Sequence, residues 1–133
     1  MSLIYVPDAG TIIQCDFSKG FEPPEMVKKR PVIVVSPPIH NRRDLCTVVP
    51  MSTTEPHQMM KYHYEMTFDP PLPYPYDKER FWVKCDMIYS VGIGRLDFLY
   101  KKNENGSRNY DKRIVSKADL DIIRRCLVMS IGL

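Results

Sequence analysis

Arg30 stands at the head of an apolar run, residues 31–36 (PVIVVS), where Pro31 fixes the backbone. Five residues earlier is Glu25, in a loop able to fold back toward it. A second apolar run ends in Ser52, Thr53 and Thr54, three consecutive hydroxyls. A guanidinium offers a planar donor fork that matches two phosphate oxygens. Hydroxyls add donors to phosphate, and a carboxylate can accept a proton. Such a set suits cleavage of RNA by its own 2′-hydroxyl. That reaction needs the hydroxyl deprotonated, the phosphorane charge neutralised and the 5′-oxygen protonated. It calls for no metal and no cofactor, and DNA, which lacks the 2′-hydroxyl, is no substrate.

Charge points the same way. The chain of 133 residues carries a net charge of +3. The excess lies between residues 25 and 45, where Lys28, Lys29, Arg30, Arg42 and Arg43 face only Glu25 and Asp44. A basic stretch of this kind suits a polyanion. Lys28, Lys29, Arg42, Arg43, Thr54 and His57 are the candidate RNA-binding residues beside the chemical set. Phe21 is a further candidate, either stacking on a base or covering one end of the core. His40 and His63 read as surface or structural histidines. Arg95 reads as structural or as part of a subunit interface.

The elements that must position these groups are mostly strands. Residues 11–17 (TIIQCDF), 31–36, 46–51 (CTVVPM) and 62–68 (YHYEMTF) are strand candidates, and 81–91 (FWVKCDMIYSV) reads as one long strand that bends between two sheets. Pro50 belongs at a strand end or edge. Trp82 and Phe81 belong to the core. Residues 18–29 hold a Gly and a Pro pair and form a loop. Residues 70–75 (PPLPYP) must run extended, leaving Tyr74 and Tyr76 exposed. Residues 101–112 are polar, with Asn105-Gly106 marking a tight turn. One helix closes the chain. Ser116 is its N-cap, Leu120, Ile123, Leu127 and Ile131 form its apolar stripe, Arg124 and Arg125 favour its C-terminal end, and Gly132 stops it. About five strands and one helix in this length predict a single domain, residues 1–133, built as a small β-barrel.

Cys15, Cys46, Cys85 and Cys126 sit far apart inside apolar segments, which predicts buried reduced thiols and neither a CxxC redox site nor a metal site. No apolar run approaches the roughly 18 residues of a membrane span, and the first residues form no leader, so a cytoplasmic protein is expected.

Five pieces in order carry a resemblance: AGTIIQCDF, EMVKKRPVIVVS, TVVPMSTT, KCDMIYSVGIGRLDFL and the closing SIGL. The chain resembles the MazF/PemK toxin endoribonucleases of type II toxin–antitoxin pairs over nearly its whole length. The resemblance implies an SH3-like barrel of the CcdB/PemK kind, mainly β with a C-terminal helix. It implies a homodimer that cuts single-stranded RNA at short sequences, leaving a 2′,3′-cyclic phosphate and a 5′-hydroxyl. It also implies a cognate antitoxin that occupies the same groove. Arg30 matches the family's catalytic Arg, Glu25 the acidic loop residue, Ser52 the catalytic Thr and Thr53 the hydroxyl residue after it. The chain departs from the pattern in having Ser at position 52, so that Ser52 and Thr53 could exchange roles, and in a longer first loop, which leaves Glu22 and Glu25 competing for the acidic position. Residues 70–75 and 101–112 look like insertions. A catalytically silent member that only binds RNA or antitoxin, and a CcdB-like gyrase-binding toxin, are the alternative readings.

Overall fold

The computed structural model describes residues 3–133. Eight strands, β1 (Ile12–Asp16), β2 (Lys29–Val34), β3 (Leu45–Ser52), β4 (His63–Thr67), β5 (Arg80–Lys84), β6 (Tyr89–Gly92), β7 (Leu96–Lys102) and β8 (Arg108–Asp111), precede one helix, α1 (Lys117–Ser130). The strands pair antiparallel in the order β4-β5-β3-β2-β1-β7-β8, with β6 also on β3. The fold is mainly β with a C-terminal helix, as expected. Its ladder ends at β4 and β8, so the barrel is open.

The central strands read as continuous apolar runs because both of their faces are buried. Ile12, Ile33, Val49 and Met51 enter one core, which is covered by Ile123 and Cys126 of α1 and by Phe81, Val83 and Leu72. Their neighbours Ile13, Cys15, Val32, Val34, Cys46 and Val48 enter the other, closed by Phe17, Met26 and Leu96. Alternation along each strand feeds the two cores in turn.

Two expectations about strands are corrected. Pro50 lies inside β3, a central strand. Along one edge, β3 pairs with β6 as far as Val48 and with β5 from Met51, so Pro50 falls in the gap between them and no ladder bond needs its missing donor. Residues 81–91 form two strands, β5 and β6, broken by a turn at which Met87 N–H donates to the Lys84 carbonyl (3.1 Å). Both halves return to the same strand, β3. The polar stretch 101–112 is the tip and return of the β7–β8 hairpin, with Gly106 at φ +84°. The pairing of β7 with β1 had no counterpart among the expected strands.

Helix α1 begins as its sequence indicates: Ser116 Oγ accepts from Asp119 N–H (3.1 Å). Gly132, at φ +89°, ends it with its N–H on the Met129 carbonyl (3.2 Å). The stripe frays at its end, since Ile131 is 60% exposed. Arg124 and Arg125 lie in mid-helix rather than in the last turn. Arg124 instead clamps the helix to the sheet, its Nε donating to the Val35 carbonyl (3.0 Å). Tyr64 on β4 holds the other end, donating to Asp119 Oδ1 (2.6 Å).

All four cysteines are buried and free. Burial pushes the Cys15 thiol from 9.0 up to about 12 and the Cys46 thiol up to about 11. Unfolded, these thiols ionise near pH 9, so above that pH the unfolded chain holds fewer protons than the folded one. Their contribution is therefore complete below pH 9 and is lost as pH climbs toward 11 and 12. The urea midpoint should be level near pH 8 and fall steeply above 9, with a shallower fall in Cys15→Ala. A midpoint indifferent to pH up to about 11 would contradict this burial.

Candidate active site

The pairing of β2 with β3 sets the site. Val32 faces Pro50, Ile33 faces Val49 and Val34 faces Val48. Val32–Pro50 is the last of these pairs, and Arg30 on β2 and Ser52 on β3 each lie two residues beyond it, at the end where residues 53–62 leave the sheet. Arg30 is itself within β2, paired with Cys15 of β1, and so is held by the sheet rather than by the preceding loop. Its side chain is half-buried, and its Nε is shut from water without a hydrogen-bond partner. A buried guanidinium donor with no acceptor is costly, by about 1–3 kcal/mol. Arg30 also lines the neighbouring cavity, so this cost sits beside an open site.

Beside it opens a cavity of about 200 Å³. Arg30, Lys28, Lys29, Lys78, Thr53 and Tyr76 supply its polar lining, over a floor of Pro31, Met51 and Phe81. Among the described residues no carboxylate lines it. The cavity is therefore strongly cationic and suited to a phosphodiester. Tyr76 donates to Gln14 Oε1 (2.9 Å). Burial raises its phenol pKa, against the pull of the nearby Arg30 charge. The phenol is thus kept protonated, as a donor.

The two hydroxyls expected to work together are divided. Ser52 is only 5% exposed, and its Oγ accepts from Thr54 N–H (3.1 Å), capping the turn. Thr53 is exposed and reaches the cavity. Thr54 and His57 are exposed in the same loop, outside the cavity lining. Glu25 is exposed too, and its carboxylate accepts from Glu22 N–H (3.1 Å), so it organises its own loop and makes no pair with Arg30.

Other expectations fail on position. Arg42 and Arg43 precede the opposite end of β3, about 23 Å from Ser52 along an extended strand. Arg42 is pinned there, donating to Thr47 Oγ1 (3.2 Å) and Ser90 Oγ (3.1 Å). Phe21 is not free to stack on a base. It packs edge-on against Phe17 (5.2 Å) and Tyr89 (5.6 Å), with the Arg95 guanidinium over its face at 4.7 Å. Arg95 is structural, donating to the carbonyls of Asp16 (3.1 Å) and Lys19 (2.7 Å). His63 is committed through Nδ1, which accepts from Met60 N–H (3.1 Å), and its burial lowers its pKa. Tyr74 is exposed as expected, but Tyr76 is half-buried because its hydroxyl docks on Gln14.

Comparison with known proteins places this arrangement. Residues 8–130 match the family model of PemK-like, MazF-like toxins of type II toxin–antitoxin systems. The chain belongs to this toxin family. A Haemophilus influenzae protein is 31% identical over 89% of this chain and 88% of its own, and YifN of Escherichia coli K12 is 29% identical over 73% and 76%. Among solved structures, a mycobacterial endoribonuclease in complex with its cognate antitoxin is similar at a TM-score of 0.59 and 20% identity, covering 96% of both chains. MazF of Deinococcus radiodurans is similar at 0.59 and 22%, covering 97% of this chain and 99% of that one.

In this MazF-like toxin, reasoning from sequence missed one lining residue, Lys78, and placed Tyr76 as an exposed residue open to RNA or a partner rather than docked in the cavity wall. The proline tract ahead of them was the available signal, since an extended segment of that length can return across the sheet. The lone Nε of Arg30 has a consequence for stability. Arg30→Met, which keeps the apolar stem and removes the unpaired donor, should leave the urea midpoint unchanged or raise stability by up to about 1 kcal/mol. A loss greater than about 1 kcal/mol would show that Arg30 holds the fold together instead.

Proposed function

We propose that this toxin is a metal-independent endoribonuclease acting on single-stranded RNA, with Arg30 as the group that neutralises the reacting phosphate. The observation that carries the reading is the buried, unpartnered Nε of Arg30 at the edge of a cavity lined by Lys28, Lys29 and Lys78 and by no carboxylate. The 2′-oxygen attacks phosphorus as its proton passes to solvent water, and solvent water returns a proton to the leaving oxygen. The O2′–P bond forms, the P–O5′ bond breaks, and the 5′-oxygen leaves protonated. The products are a 2′,3′-cyclic phosphate and a 5′-hydroxyl.

Each lining group has a part in this step. Arg30 meets the charge that grows on the non-bridging oxygens, and the lysines hold the flanking phosphates. Thr53 donates its hydroxyl to a non-bridging oxygen. Tyr76, its hydroxyl committed to Gln14, holds the proline tract against the cavity and shapes its wall. Ser52 positions Thr53 by capping the turn. Since the acidic loop residue Glu25 lies outside the cavity, most of the acceleration comes from charge neutralisation rather than from a strong base. The protein works as a homodimer in the cytoplasm and is restrained by a cognate antitoxin whose acidic segment competes for the same cationic cavity.

Long single-stranded RNA incubated in excess EDTA should be cut by the wild type. Arg30→Ala should lower kcat by about 10²–10³, the usual cost of losing one preorganised oxyanion donor. Intact RNA from a folded wild type, across several substrate sequences, would defeat the reading. The hydroxyl assignment separates in the same assay. Thr53→Ala should lower kcat while the urea midpoint stays put, whereas Ser52→Ala should cost about 1 kcal/mol of stability. The reverse pattern would return the chemical role to Ser52.

A further inference from the structure

The Arg30 cavity is the end of a longer groove. It shares Pro75 and Tyr76 with a neighbouring cavity of about 450 Å³. That one shares Pro73, Tyr74 and Lys101 with a third, of about 680 Å³. Both added volumes fall within the roughly 300–1,000 Å³ typical of binding sites. The two segments outside the family motifs, the proline tract and the β7–β8 hairpin, form the facing walls.

The walls are braced. Arg113 donates to the Pro70 carbonyl (2.5 Å) and pairs with Asp111 (2.9 Å), tying the tract to the strand β8. Tyr76 anchors the other end on Gln14 (2.9 Å). Arg108 lies over the Tyr100 ring at 4.2 Å, and Tyr100 meets Tyr110 edge-on at 6.1 Å. What the groove leaves open is mostly aromatic and cationic, with Asp77 the exposed carboxylate among its described lining residues. Tyr74 is 82% exposed and Tyr110 39%. Lys101 and Lys102 are exposed and have no ion pair among the described residues. Of the carboxylates in the walls, Asp111 is already engaged by Arg113.

From this placement we propose that the groove between the proline tract and the β7–β8 hairpin holds the stretch of single-stranded RNA that flanks the cut. Bases stack on Tyr74 and Tyr110, and Lys101 and Lys102 take the phosphates. The inference rests on the ribonuclease reading for the cavity at its end. Open aromatic faces beside a run of cations are what a flexible polynucleotide needs, since every base has a face to stack and every nucleotide a charge. An acidic peptide would use the lysines and leave the rings idle. The groove thus makes RNA length and flanking sequence part of substrate selection.

The test is binding rather than cleavage, so it stands apart from activity. Fluorescence anisotropy would compare 2′-O-methyl RNA pools of mixed sequence, which cannot be cut, at about 5 and about 14 nucleotides. The longer pool should bind roughly tenfold or more tightly. Lys101→Ala/Lys102→Ala should close most of that gap and flatten the salt dependence of the longer pool by about 1.4 in log–log slope, two phosphates lost. Tyr74→Ala should cost the longer pool about fivefold or more, and Tyr74→Phe should restore it. Circular dichroism melts of each variant should overlay the wild type.

Equal affinity for the two lengths, no binding of either, or folded variants that leave the gap intact would overturn the proposal. So would variants that weaken an acidic peptide while RNA affinity holds. Cleavage of RNA with no length preference would sink the groove and keep the nuclease. Length-dependent binding without cleavage would keep the groove and sink the nuclease.

Discussion

The candidate site depends on the antiparallel pairing of β2 with β3. That register brings a cation at position 30 and hydroxyls at 52 and 53 to one end of the sheet, and it is held by burial on both faces at once. Val32, Val34 and Val48 fill one core, Ile33 and Val49 the other. A slip of one residue would exchange the two sets and carry Arg30 to the opposite face. Few registers are so strongly enforced, because most sheets bury only one side. The chemistry is thus placed by apolar residues that take no part in it.

Against that rigid frame, Arg30 stands out as a local cost. Its Nε is buried and unpaired in a sheet whose apolar groups are well covered. The usual remedy, a carboxylate, is missing: Glu25 is turned to its own loop, and the cavity beside the guanidinium holds lysines. A site left short of negative charge is preorganised for an anion, and the fold bears the strain. The chain's membership of the MazF-like toxin family is consistent with the RNA substrate proposed for this site.

The sequence made the frame legible where local physics decides. Two-face burial was readable in PVIVVS, the N-cap in Ser116, the turn in Asn105-Gly106 and the thiols' burial in the apolar runs around them. It failed where distant pairing decides. Residues 81–91 look continuous, but both halves return to β3, so a turn had to intervene. Pro50 sits mid-strand because its neighbour strands change there, which no local pattern announces. Phe21 and Arg42 have the right chemistry for RNA, and distant partners claim both of them, Arg95 and Tyr89 in one case and Ser90 in the other. Tyr76 was hidden for the same reason, its fate being set by Gln14, 62 positions away.

The central claim is that the RNA's own 2′-oxygen is the nucleophile, with Arg30 neutralising the charge it creates. The most direct measurement places a single 2′-deoxynucleotide immediately 5′ of the mapped cut in an otherwise all-RNA substrate and analyses the ends with EDTA present. The account predicts no cutting at that linkage, and 2′,3′-cyclic phosphate with 5′-hydroxyl ends on the unmodified control. Cutting at the deoxy linkage would mean that another nucleophile attacks phosphorus, and would contradict it.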